Sequence, residues 1–257
     1  MKTYILLILT ILMSTMANAS IATSGVNPNK YNTYAKGIML DRFNNIKGQL
    51  YEASVTTGIN MNELVAIGSL ESKLVGNAKV KVKNGTAAGV LKYTNATWVM
   101  KKKKYAAELG IPSNAHQNNV RANLLIGSKD LQETKAKLIE RTHLTAETLT
   151  LGDVYLSHFL GEDAAVKVIN SYSHKPINQI VRIHPGNGRY YINKNGKYRT
   201  AREMRQYMNK LVTDEMHVYQ EAVMYYQIKR LFKPVTQLAE RVRRITITEE
   251  TVLTASR

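Results

Sequence analysis

Glu63-Leu64-Val65-Ala66-Ile67-Gly68-Ser69-Leu70-Glu71-Ser72-Lys73-Leu74 decides how the rest of the chain is read. On a helix, Leu64, Ile67, Glu71 and Leu74 fall at i, i+3, i+7 and i+10 and share one face. Glu71 therefore stands in an apolar stripe rather than among solvated charges. A carboxyl there loses hydration, which disfavours its charged form, and that is the condition a general acid needs near neutral pH. The structural alternative is a Glu that pairs with a buried Arg or caps a neighbouring helix. Asn62 reads as the N-cap of a helix over 63–74.

Around this helix the pattern is mostly α. Upstream, Ile38, Leu40, Phe43, Ile46, Leu50 and Ala53 give helical periodicity from Ala35 until Gly58 breaks it. Downstream, residues 76–97 are rich in Gly, Asn and Thr and read as loops with a short irregular or β-like piece. Helices are expected from Trp98 towards Leu109, over 118–141, over 152–161 and over 162–170. Residues 171–199 read as irregular. A long amphipathic helix starts at Thr200, with Met204, Tyr207, Met208, Leu211, Met216, Tyr219, Ala222, Val223 and Tyr226 near one face, and Pro234 is expected to interrupt it. The expected fold class is mainly α, with a small irregular or β-like segment next to the site.

Composition bounds the function. The chain has 257 residues, 36 Lys plus Arg against 19 Asp plus Glu, a net charge of +17 and no Cys. Disulfide scaffolds and any chemistry built on Cys are excluded. A hydrophobic fraction of 44% excludes a disordered polyelectrolyte. The positive excess calls for an anionic partner, which is nucleic acid, a membrane surface or an acidic wall polymer. The start narrows the choice. Lys2, an apolar run from Ile5 to Met13 and a small-x-small site ending at Ala19 read as a signal peptide over 1–19. The run is about half of the roughly 20 residues that a spanning helix needs. Cleavage after Ala19 removes only Lys2 and leaves +16. The expected compartment is the periplasm, where nucleic acid is a poor candidate and peptidoglycan or anionic lipid a good one. Residues 20–34 read as a flexible lead-in, 35–217 as the catalytic domain and 218–257 as a helical, basic extension.

Three further segments sharpen the reading around Glu71. Gly85-Thr86-Ala87-Ala88-Gly89-Val90-Leu91-Lys92-Tyr93-Thr94-Asn95-Ala96-Thr97-Trp98 combines small residues, which admit a close ligand, with groups suited to sugar. Asp153-Val154-Tyr155-Leu156-Ser157-His158-Phe159-Leu160-Gly161 and Tyr190-Tyr191-Ile192-Asn193-Lys194-Asn195-Gly196 follow in order. With the Glu71-Ser72 pair, these blocks resemble the lytic transglycosylase and goose-type lysozyme superfamily. The pattern is most similar to the endolysin-type enzymes of phages, and the likeness covers roughly 40–217. It implies a lysozyme-like helical fold and cleavage of the bond between N-acetylmuramic acid and N-acetylglucosamine. Glu71 would be the catalytic carboxyl. Ser72, Gly89, Lys92, Tyr93, Thr94, Tyr155 and His158 would bind substrate, with Tyr155 beside the Glu.

In that family one carboxyl suffices. It protonates the glycosidic oxygen and then takes the proton of the C6 hydroxyl as a 1,6-anhydro ring closes. The two-carboxylate pattern of most glycosidases is not required. Asp130, Asp153, Glu162 and Asp163 are the candidates should a second carboxylate position water, which would make the protein a hydrolytic muramidase. A non-catalytic wall-binding assembly protein on the same fold is the remaining alternative. It is favoured by Lys92, which stands where the family usually has Gln and whose ammonium would weaken an acid beside it. No cofactor or metal is expected, since the six His show no close ligand spacing. Glycan strands of peptidoglycan are the expected partner, with an anionic membrane surface or a secretion or virion assembly as further ones. Lys101 to Lys104 read as a solvated helix face or a charge-driven binding patch. Oligomeric state and the role of 218–257 are left open.

Overall fold

The computed structural model describes residue 27 and residues 30–82 and 85–255, with 234–255 described as backbone. The expected signal peptide and most of the lead-in lie outside the described residues. What is described is mainly α-helical with one small antiparallel sheet.

Helix α1 (Thr33–Thr57) starts at Asn32, whose side chain accepts the Ala35 N–H at 2.8 Å. It buries Met39, Phe43, Ile46, Leu50, Ala53 and Thr57, a 3–4 alternation that gives one continuous face. Gly58 closes it in the left-handed region at φ 77°.

Helix α2 spans Met61–Ser72. Asn60 caps it, not Asn62 as expected, by accepting the Asn62 N–H at 2.8 Å. The earlier start seats Met61, which is fully buried. Leu64 through Ser69 are all buried, so α2 is the central helix of the core and not an amphipathic surface one. It also stops two residues early, because Lys73 and Leu74 both adopt left-handed φ, at 54° and 59°. Each such non-glycine residue costs about 1–2 kcal/mol. The turn keeps Leu74 in the core, 2% exposed, and delivers the Lys73 ammonium to a buried carboxylate.

The expected β-like piece is a three-stranded sheet. Strands β1 (Lys79–Val82), β2 (Gly85–Ala88) and β3 (Tyr93–Thr94) pair in that order, with Lys79 opposite Ala88 and Ala88 opposite Tyr93. Thr94 then caps α3 (Asn95–Tyr105) by accepting the Thr97 N–H at 3.3 Å. That helix begins three residues before the expected Trp98 and ends four before Leu109, where turns and a left-handed Gly110 take over.

Helix α4 (Val120–Arg141) is capped by Asn119, and α5 (Leu151–Leu160) by a reciprocal Thr150–Asp153 capping box. Gly161 at φ 86° separates α5 from α6 (Glu162–Asn170). Residues 171–199 are irregular, as expected, apart from two short 3-10 turns and the one-turn α7 (Gly188–Tyr191).

The last element, α8 (Ala201–Ala255), packs on α2 and α5. At its crossing with α5, a side chain on Gly152 would meet the Asn209 backbone at 2.4 Å, so only glycine allows this approach. Pro234 does not interrupt α8, whose backbone stays helical through it. A proline removes one N–H and crowds one carbonyl, which the neighbouring turns of a long helix can absorb. Residue 217, the expected end of the domain, lies inside α8, and Tyr219 and Val223 beyond it are fully buried.

Candidate active site

The site grows from the C-terminal end of α2. Glu71 is on its last turn, with its side chain 18% exposed. Its carboxylate faces His158 of α5, with Nε2 at 3.8 Å. The His158 ring stacks on Tyr155, one turn earlier, at 6.3 Å between centroids and 17° between planes. Tyr93 of β3 meets the same imidazole edge-on at 5.8 Å. Helix, sheet and helix thus bring Glu71, Tyr93, Tyr155 and His158 together, as expected.

Both tyrosines keep their protons. Burial, and after it the Glu71 carboxylate, pushes the Tyr155 hydroxyl far above its ordinary range. Burial, and after it Asp130, does the same to Tyr93. The Tyr93 hydroxyl donates to Asp130 Oδ2 at 3.0 Å, and Asp130 is ion-paired to Lys101 of α3. Tyr155 therefore stands beside the Glu71 carboxylate with its hydroxyl protonated.

His158, Tyr93, Thr94 and Lys92 line a cleft of about 480 Å³. Glu71 adjoins the cleft through His158 and is not part of its lining. Lys92 sits at φ 46°, a strained position for a lysine. Three other lysines line the cleft, and each is paired: Lys101 with Asp130, Lys104 with Glu133 and Lys137 with Glu162. Among the described residues Lys92 has no ion-pair partner. The acid attached to His158 is Glu71, and no ion pair joins it to Lys92.

Two expected binding residues stand elsewhere. The Ser72 hydroxyl donates to the Gly68 carbonyl at 3.1 Å and serves its own helix. Gly89 does make a close approach, but to protein. A side chain there would meet the Gln117 carbonyl at 2.3 Å and the Asn123 amide at 2.4 Å. Asn123, 0% exposed on α4, accepts the Leu91 N–H at 2.9 Å and holds the cleft floor in place. Glycine in a loop next to a site signals closeness; it does not say to what.

The candidate second carboxylates are all committed to cations. Asp130 is paired with Lys101, Asp153 with Arg205, Glu162 with Lys137 and Arg141, and Asp163 with Arg141. Among the described residues no group of three or more His, Asp or Glu is placed to hold a metal ion. A second cavity, of about 550 Å³, lies where α5 and α6 meet α8 and contains none of the expected site residues.

The sequence reading missed Glu215. It is 0% exposed on α8. Oε2 accepts from Lys30 at 2.8 Å and from Tyr31 at 2.9 Å, and Oε1 from Lys73 at 2.9 Å and from Ser69. Tyr219 lies 2.8 Å from the same Ser69 oxygen. Burial opposes ionisation here, but the hydrogen bonds from Lys30 and Ser69 and the Lys73 charge outweigh it and hold the carboxyl below its ordinary 4.5. The signal was available, since Met208, Val212, Glu215, Tyr219 and Val223 step by 4, 3, 4 and 4 along one face.

No family model matches the chain, and no curated protein matches it either. Among solved structures it is similar to an inactive mutant of the lytic transglycosylase Slt from Pseudomonas aeruginosa, with 14% identity and a TM-score of 0.44. That match covers 68% of this chain and 24% of the other, so the likeness spans about a quarter of the Slt structure.

Proposed function

We propose that the protein is an exported peptidoglycan lytic transglycosylase with Glu71 as its single catalytic carboxyl. The observation that carries this reading is the isolation of Glu71. It is partly exposed beside the cleft, with a histidine and a protonated tyrosine as neighbours, while every candidate partner carboxylate is neutralised by a cation. A hydrolase of the common two-carboxylate type needs a second free carboxylate across the scissile bond. An intramolecular attack by the C6 hydroxyl of the muramoyl residue does not.

In this mechanism Glu71, protonated, gives its proton to the glycosidic oxygen between N-acetylmuramic acid and N-acetylglucosamine. The bond breaks, and the C6 hydroxyl attacks the anomeric carbon. Glu71, now a carboxylate, accepts the hydroxyl proton as the 1,6-anhydro ring closes. The Tyr155 hydroxyl steadies the carboxylate form, and His158 fixes its rotamer. Tyr93 and Thr94 offer ring and hydroxyl to the sugars, and Lys92 offers its ammonium to a carboxylate of the peptide stem. The signal peptide expected from the sequence supports a periplasmic site of action, and the +17 charge suits an anionic mesh.

The test is digestion of purified sacculi with mass spectrometry of the soluble products. Anhydro-muropeptides from the parent protein and none from Glu71→Gln are expected. Reducing ends in place of anhydro ends would mean a muramidase. No product at all would leave a wall-binding protein.

A further inference from the structure

The cavity of about 550 Å³ where α5 and α6 meet α8 is not used by the proposed activity. It shares no lining residue with the cleft beside Glu71. Its size falls in the range of roughly 300–1,000 Å³ that small-ligand sites occupy. The buried part of its lining is apolar: Val168, Ile169 and Ala201 are at most 2% exposed. One face of α8 supplies polar groups, since Arg202, Arg205, Gln206 and Asn209 fall at i, i+3, i+4 and i+7. His143 and Thr150, from the connection between α4 and α5, and Ser171 and Ser173, after α6, complete the lining.

The charge of this lining has one sign. No Asp or Glu lines the cavity, while two guanidinium groups do. Arg205 gives Nε and Nη2 to the buried Asp153, at 2.6 Å and 3.0 Å, and its Nη1 has no protein partner among the described residues. Arg202 gives Nη2 to the Ser173 hydroxyl at 3.0 Å and has no ion pair among the described residues. A guanidinium carries five N–H donors, so both arginines keep most of theirs. Asp153 balances the charge of Arg205, and no carboxylate balances that of Arg202. The first backbone donors of α8 are already taken. The Ala201 N–H donates to the Lys175 carbonyl at 2.8 Å and the Arg202 N–H to the Ser173 carbonyl at 3.0 Å. Recognition here rests on side chains and not on the helix end.

We infer that this cavity is a second binding site, for a short acidic peptide that gives a carboxylate to Arg202 and Arg205. A planar carboxylate matches the fork of a guanidinium. The side-chain amides of Gln206 and Asn209 each offer a donor and an acceptor, as a peptide bond requires. No Phe, Tyr or Trp lines the cavity, so a sugar or a base finds no ring to stack on, whereas the cleft has Tyr93. A simple inorganic anion would fill little of the space and leave the apolar lining unused. The peptide stems of the proposed substrate belong to the class that fits. That link rests on the proposed activity; the preference for an acidic peptide does not. A stem held here would keep the polymer at the protein while the cleft releases a product.

Calorimetric titration of the full chain with a synthetic tripeptide of alanine, glutamate and diaminopimelate tests the site directly. Saturable binding is expected, and conversion of the peptide's carboxyls to amides should remove it. Arg202→Gln and Gln206→Glu replace exposed side chains, so circular dichroism should be unchanged. The first should weaken binding about tenfold, the scale of one hydrogen bond to a charged group. The second should weaken it at least as much, by setting a like charge against the ligand. Lys92→Gln, in the cleft, should matter less than Arg202→Gln. A parent protein that takes up no tripeptide at about 5 mM, above the ~1 mM of a weak site, overturns the inference. So does equal binding of the amidated peptide, displacement by an equal concentration of inorganic phosphate, or an effect of Lys92→Gln as large as that of Arg202→Gln. The tripeptide contains no glycosidic bond, so this binding and the proposed cleavage fail separately.

Discussion

Two carboxylates interrupt apolar stripes in this protein, and they have opposite surroundings. Glu71, at the end of α2, keeps partial contact with solvent and has a histidine 3.8 Å away. Glu215, on α8, is sealed from solvent under two lysines, two tyrosines and a serine. Both look alike as sequence, since each is an acid on a buried face. What separates them is compensation. A carboxylate held by several donors has its charged form favoured and takes up a proton only at lower pH. Glu71 has no Lys or Arg ion pair among the described residues, only an imidazole and a tyrosine beside it. The two are linked through Ser69 and Lys73, which flank Glu71 on the chain and bond Glu215. The buried acid thus anchors the turn that presents Glu71.

Substitutions should separate these roles. The largest effect is expected from Glu71→Gln: loss of about 10²–10⁴ in the rate of sacculus digestion, the usual range for a general acid–base group, with an unchanged melting temperature. Glu215→Gln should do the reverse. It should cost about 3 kcal/mol, the low end for breaking a buried pair, because Lys30 and Lys73 retain contact with water. That lowers the melting temperature by roughly 6–12 °C, with activity per folded molecule falling far less than in Glu71→Gln. An inactive but fully stable Glu215→Gln protein would break the comparison.

The pH dependence of stability follows from the same site. Folding lowers the Glu215 pKa, so its contribution is complete above the ordinary 4.5 and is lost as pH falls through the lower folded value. Denaturant titrations from pH 6 down to pH 3 should show a steeper acid loss in the parent than in Glu215→Gln. Tyr155→Phe comes next. Removing a hydrogen bond to a charged group costs about 1.5–3 kcal/mol, or about tenfold or more in rate, with fold stability little changed. The smallest effect is expected at Lys92. The parent should lose several-fold in rate, about 1 kcal/mol for a solvated ion pair, on sacculi whose stem carboxylates have been converted to amides. Lys92→Gln should digest native and amidated sacculi equally. A parent protein indifferent to amidation would remove Lys92 from substrate recognition and leave Glu71 untouched.

Local patterns carried most of the fold. The spacing of Phe43, Ile46 and Leu50, the break at Gly58 and the irregular 171–199 region all depend on neighbours within a few residues, and all appear as read. The constellation of Glu71, Tyr93, Tyr155 and His158 was legible because three short segments each carry their own signature. The misses are long-range. Whether α2 ends at Ser72 or Leu74 is decided by Glu215, which lies 142 residues from Lys73. Gly89 is small because of Asn123 on another helix. Asn60 and Asn62 are equally good caps locally, and burial of Met61 chooses between them.

The length of α8 has a mechanical side. One helix carries Arg205, which grips Asp153 of α5, and then Glu215, which grips the end of α2. A shift of α8 along its axis would carry both grips with it and so reach the turn behind Glu71. The axial position of α8 and the posture of Glu71 are therefore coupled through a single backbone.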